Sequence, residues 1–264
     1  MSVKKKRQFS KISLVYVVFG VALISVMTII GTSVFLRAKE IIIEGTVMYS
    51  AQEIVESSGL SPDDNLMFIN TQNISRDIRS ALPFVSAANI TRILPNTVLV
   101  EITESEAVAS ISFFGELIII DQSGRVLARL SGTNQTLRGV ELESLIDIRG
   151  LEIDDAVTGS TIKTVFGTEI KLQYVQDVLA MLDREDMIDD VSYIDVSNIV
   201  NVQFGYLDLY RVILGGSTNL RPSNMRNNLH RLVMFLPEIQ RFHPNTPGRI
   251  YLSDESGQPR FVPE

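Results

Sequence analysis

Residues 12–36, ISLVYVVFGVALISVMTIIGTSVFL, are 25 consecutive positions without a charge, bracketed by Lys11 and Arg37. A helix of that length rises about 37 Å, enough to cross a hydrocarbon core of about 30 Å with some tilt. A secretory signal peptide would have an apolar core of about 7–15 residues and an A-x-A-like cleavage site. This run is longer, and its nearest cluster of small residues, Gly31-Thr32-Ser33, is a poor cleavage site. A helix buried in a water-soluble core would keep a polar face, and this run has none. The expectation is an uncleaved transmembrane helix over 12–36.

Charge orients that helix. Lys4, Lys5, Lys6, Arg7 and Lys11 precede it with no acidic residue, whereas only Arg37 and Lys39 lie just beyond it. Positive residues near a span stay on the cytoplasmic side, so residues 1–11 are expected to be a cytoplasmic tail and everything from about 37 to lie outside. Those five cations belong to a total of 24 basic residues against 31 acidic ones. That leaves 19 bases against 31 acids after the run, a net charge of −12. A surface so acidic argues against nucleic acid as a partner, because phosphate contacts need a basic face. Cysteine is absent, which excludes disulfides and thiolate metal sites.

The segment after the span reads as β-α-α-β-β. A strand at Ile41–Glu44 ends on Gly45. SAQEIVESSGL then carries a capping box, in which Ser50 can accept from the amide of Glu53 while the Glu53 side chain reaches back. Gly59 supplies a left-handed stop, followed by Leu60. Ile74, Ile78 and Leu82 fall at i, i+4 and i+8, which predicts a second helix over about Thr71–Leu82 that Pro83 ends. Strands are expected at Val85–Ile93 and Thr97–Thr103 around a Leu94-Pro95-Asn96 turn. In the second of them Val98, Val100 and Ile102 mark the packed face.

Further along, GELIIIDQSGRVLARL reads as two strands around Gln122-Ser123-Gly124. A helix is expected over about Thr168–Arg184, with Leu172, Val175, Leu179 and Leu182 on one side. VSYIDVSN and YLDLYRVILGG alternate as strands. Met225, Leu229, Leu232, Val233 and Leu236 define a last amphipathic helix after Arg221, with Pro222 at its first position. Pro247-Gly248 turns into RIYLSD, expected as the final strand, with residues 255–264 as an exposed or partly ordered tail.

The string from Gly45 to Ala109 resembles a POTRA domain and, behind an N-terminal span, the FtsQ/DivIB family of bacterial division proteins. The resemblance is carried by Gly45, Ser50, Glu53 and Ile54, then by Pro83, Val85, Ala88, Ile90, Arg92, Pro95, Thr97, Val100, Ile102, Glu104 and Ala109. Downstream, the segment around Asp121 and Gly124 and the pair Gly150 and Gly159 are similar to that family's β domain. Ser105 and Ala107 stand where the family has Arg and Pro, which is expected to leave the joint between the domains less stiff.

The resemblance implies an α+β protein: a transmembrane helix, a POTRA domain over 37–108 and a mixed β domain with two or three helices over 109–254. It implies a non-enzymatic divisome scaffold without cofactor, placed at the division septum and coupling septal wall synthesis to division. Its implied partners are the lipid bilayer, coiled-coil bitopic proteins of the FtsB/DivIC and FtsL type, and septal peptidoglycan synthases. Carried over by position, the partner-binding residues are Arg249, Ile250, Tyr251, Leu252 and Ser253, with the last helix behind them. A short final strand would leave an open edge to which an extended segment can add, and Tyr251 would be the aromatic anchor.

A membrane-anchored cell-wall hydrolase and a single-POTRA module of a secretion system are the other readings. Catalysis finds little support in the residues. His230 and His243 have no metal-ligand spacing, and G-x-S-x-G does not occur. The pairs Asp63-Asp64, Asp154-Asp155 and Asp189-Asp190 read as solvated turn acids. Glu104 and Glu106 share a face at a strand exit but lack any sign of a cleft. The N-x-[ST] matches at Asn73, Asn89 and Asn134 are expected by chance.

Overall fold

The structure, a computed structural model, describes residues 11–132, 136–215, 222–252 and 259–264. Helix α1 runs over Lys11–Phe35, and its described side chains between 15 and 28 are mostly exposed apolar residues. Among the described residues no helix is long and apolar enough to cross a membrane. The crossing stays a reading of the sequence. Lys4, Lys5, Lys6 and Arg7 lie outside the described residues. The chain divides into two compact units, one of residues 1–78 with 87–103 and one of 79–86 with 104–264.

The first unit follows the β-α-α-β-β expectation. Strand β1 (Glu40–Glu44), helices α2 (Ala51–Ser58) and α3 (Thr71–Ala81), and strands β2 (Val85–Ile93) and β3 (Thr97–Glu104) follow in order. The sheet order is β1-β3-β2. β1 lies parallel to β3, from Glu40 opposite Thr97 to Glu44 opposite Glu101. A parallel neighbour needs a crossover, which α2 and α3 supply. α2 begins with the full capping box: the Ser50 side chain accepts from the Glu53 amide, and Glu53 takes the Ser50 amide at 2.7 Å. It ends on Gly59 at φ 65°. Ile54, Ile74, Ile78, Val98, Val100 and Ile102 are buried. The peptide before Pro95 is cis.

In the second unit nine strands form one sheet: β4 (Ala109–Phe113), β5 (Glu116–Ile120), β6 (Val126–Ser131), β7 (Ile146–Arg149), β10 (Val191–Asp195), β11 (Val202–Tyr206), β12 (Tyr210–Gly215), β13 (Gly248–Tyr251) and β14 (Arg260–Pro263). A separate pair, β8 (Ile153–Asp155) and β9 (Lys163–Thr164), lies between β7 and α4 (Glu169–Arg184) in the chain. The large sheet runs β14-β13-β12-β11-β10-β7-β4-β5-β6. α4 and α5 (Pro222–Phe242) bury Val175, Leu179, Leu182, Leu229, Leu232 and Ile239 in the same core as its strands.

Three expectations are corrected by this fold. Tyr206 and Tyr210 do not share a strand, because Leu207 and Asp208 both take positive φ (54° and 53°) and turn the chain between β11 and β12. The Leu209 amide closes this turn on the Tyr206 carbonyl at 3.2 Å, and Leu207–Leu209 form a three-residue loop between the paired Tyr206 and Tyr210. Val233 is not on the packed face of the last helix, being 40% exposed. RIYLSD is not the final strand: residues 260–263, expected in an exposed or partly ordered tail, form β14 antiparallel to β13.

Candidate functional site

Register places the last strands residue by residue. On the core side, Ile148, Ile194, Phe204, Val212, Ile250 and Phe261 follow one another across β7, β10, β11, β12, β13 and β14. Because side chains alternate along a strand, the neighbouring positions face the other way. Those rows carry Tyr193, Gly205, Arg211, Arg249 and Val262, and then Asp195, Gln203, Ile213, Tyr251 and Arg260. A cavity of about 340 Å³ on this part of the sheet is lined by Tyr193, Gly205, Arg211, Gly248 and Glu264, among others.

The five residues expected to bind a partner therefore divide. Ile250 and Leu252 are buried, at 0% and 2% exposure, and their side chains cannot meet a partner on this surface. Arg249 is exposed and Tyr251 half-buried, while Ser253 lies outside the described residues. The open edge expected at β13 is absent: β12 runs parallel to it on one side and β14 antiparallel on the other.

β14 is held by few groups. The Arg249 Nε donates to Glu264 Oε1 at 2.8 Å. The Glu264 amide donates to the Pro247 carbonyl at 3.0 Å. The Arg260 guanidinium lies 5.3 Å from the centre of the Tyr251 ring. Phe261 meets Tyr210 nearly edge-on at 6.1 Å and His243 at 5.2 Å. An alanine Cβ at Gly248 would run into the Phe261 ring, so glycine leaves the room in which that ring sits.

The hydrogen bond from Arg249 holds the Glu264 carboxyl below its ordinary pKa; the opposing effect of desolvation is weaker, and the charges of Arg249 and Arg211 add to the lowering. The bond to Glu264 also raises the pKa of Arg249, with further support from Tyr251. A carboxylate whose pKa is depressed on docking favours the docked state above its free pKa and loses that effect as pH falls through the depressed value. Docking of β14 should thus weaken below about pH 4. Amide hydrogen exchange at residues 260–263 is expected to quicken there more than at β12, and Glu264→Gln should remove that difference.

The family-like residues from Gly45 to Glu104 have structural work to do. The Arg92 Nη2 donates to the Ile69 carbonyl at 2.8 Å, tying β2 to the connection before α3. Gly45 sits at φ 81° against the Ile102 carbonyl. Pro83 follows the end of α3, and Glu104 closes β3 half-buried. Ser105, which stands where the family has Arg, is held within the second unit. Its amide donates to the Phe84 carbonyl at 2.6 Å and its hydroxyl to Asp121 Oδ2 at 2.9 Å. Sequence reasoning missed Asp121 as an organiser. Its other oxygen accepts from the amide and hydroxyl of Ser123 and from the Arg125 amide. An Asp two residues before a Ser-Gly turn is the available signal.

The acidic pairs form no catalytic arrangement. Asp63 sits at a turn with φ 81° and Asp64 accepts from the Ser61 amide. Asp154 and Asp155 lie in β8, and Asp155 is 3.9 Å from Lys163. Asp189 and Asp190 fall in a 3₁₀ turn. Among the described residues no three His, Cys, Asp or Glu side chains are grouped to hold a metal ion.

Residues 36–105 match a family model described as POTRA domain, FtsQ-type. Over most of its length the chain is similar to curated cell division proteins. It is 24% identical to DivIB of Clostridium tetani over 203 residues, covering 76% of this chain and 72% of that protein. It is 22% identical to FtsQ of Streptomyces bingchenggensis over 215 residues, covering 81% and 75%. With FtsQ of Geotalea daltonii it shares 27% over 235 residues, covering 85% and 78%. Residues 36–105 thus form an FtsQ-type POTRA domain, and over most of its length the chain has DivIB and FtsQ cell division proteins as relatives.

Proposed function

We propose that this protein is a non-enzymatic scaffold of the bacterial divisome, anchored in the cytoplasmic membrane by α1 with its N-terminus inside. Outside the membrane it gathers coiled-coil bitopic division proteins of the FtsB/DivIC and FtsL type at the septum, and through them couples wall synthesis to division. The observation that carries this reading is the similarity to cell division proteins over three quarters or more of the chain. The membrane anchor is supported by the 25 uncharged residues at 12–36 and the five cations before them. Septal peptidoglycan synthases would be recruited with, or next to, the coiled-coil proteins.

Side chains of the β13 region on the face away from the core carry the contact. Tyr251 offers an aromatic surface and Arg249 a charge, the residue types enriched at interface hot spots. Tyr251→Lys in the full chain should lower capture of the coexpressed coiled-coil proteins at least about tenfold, the loss of roughly 1.4 kcal/mol of binding energy. Capture at the wild-type level would move the surface away from β13.

A further inference from the structure

We propose that β14 is a ligand of its own chain: it fills, in cis, the place beside β13 where a partner lays an extended segment, so that capture proceeds by strand exchange. This rests on the reading of β13 as the partner surface and adds how that surface is regulated. β14 has four residues and lies at one edge of the nine-stranded sheet. Its neighbour β13 is locked on the other side, where β12 pairs with it over four residues and Ile250 is fully buried. β14 has no such lock. Arg260 is exposed, Phe261 and Val262 are half-buried, and the Arg249 and Glu264 side chains are 44% and 46% exposed. A short edge strand with mostly solvated contacts belongs to the low-stability end of a structure.

The way β14 is held also defines what can replace it. The core-side row from Ile148 to Ile250 ends on a socket, open above Gly248, that takes an aromatic ring between Tyr210 and His243. On the other face Arg249 takes a carboxylate three residues further along the incoming strand. The replacing segment is therefore a strand antiparallel to β13 with an aromatic residue and, three positions later, an acid. Main-chain bonds give it affinity and these two side chains select it. Because β14 is tethered, it competes at a high effective concentration, and an exchange partner must supply that chemistry at least as well.

The test uses a labelled peptide of residues 259–264, PRFVPE, titrated into the full chain, into Phe261→Ala/Glu264→Gln, and into a chain ending at residue 258. The peptide should bind the shortened chain and the double variant at least about tenfold more tightly than the wild type. A peptide with alanine for its phenylalanine should not bind, and Gly248→Ala in the shortened chain should abolish binding. Should the shortened chain fail to fold, the double variant, which keeps the whole backbone, decides. Equal binding to wild type and double variant, or none to either, overturns the self-ligand. Capture of the coexpressed coiled-coil proteins is then compared between wild type and double variant, and it should rise several-fold in the latter. Peptide exchange with unchanged capture overturns the partner reading of β13 while leaving the self-occupied seat in place.

Discussion

Gly45→Ala is expected to destabilise the first unit by about 3 kcal/mol or more, a fall in its unfolding temperature of roughly 10–20 °C. Two costs combine. The residue sits at φ 81°, where an L side chain pays about 1 kcal/mol. A Cβ there would overlap the Ile102 carbonyl oxygen and lie 3.2 Å from its carbon. That neighbour is backbone in β3, the central strand of the sheet, and is 5% exposed. It cannot swing aside as a side-chain end would. Gly59 is the control, because it takes φ 65° with nothing within 4 Å of its would-be Cβ. Gly59→Ala should cost only about 1 kcal/mol. Hydrogen exchange in the full chain, read at the amides of β1 to β3, separates the two; equal protection in both variants would show that the Ile102 contact yields.

Phe204→Ala should cost the second unit about 3–5 kcal/mol, the range for deleting a buried aromatic ring. Phe204 lies in β11, inside the nine-stranded sheet, with no exposed surface. Ile194 and Val212 flank it across the ladder, and the Tyr206 ring meets it edge-on at 6.4 Å. With strands on both sides fixed by their hydrogen bonds, the hole cannot close by collapse. The urea midpoint of the second unit should drop sharply while the slope of the transition stays the same. Phe166, 97% exposed, provides the contrast: Phe166→Ala should stay within about 0.5 kcal/mol. A comparable loss from both would mean that burial does not set the cost.

Much of the first unit could be read from local chemistry. The capping box at Ser50 and Glu53, the left-handed Gly59 and the periodicity of Ile74 and Ile78 each need only a few residues of context. The second unit resists such reading because its decisive features are long-range. Leu207-Asp208 turns the chain without Gly or Asn, so YLDLY looks like one alternating strand. In β14 an Arg-Phe-Val-Pro stretch has its partners in β13, on the far side of residues 252–259, and proline there argues against a strand unless it lies at an edge. In the site, residues 249–253 read alike with Tyr251 as the anchor, whereas the burial of Ile250 and Leu252 and the cover of β14 depend on which strand neighbours which. At Ser105 a departure from the family's Arg shows what is missing and not the bond to Asp121 that is gained.

Localisation of the full chain carrying an N-terminal fluorescent protein tests the central claim most directly. A band at mid-cell that forms with the septum is the expected result. An even signal around the whole envelope, in cells that divide normally and retain the intact fusion, would contradict a divisome scaffold.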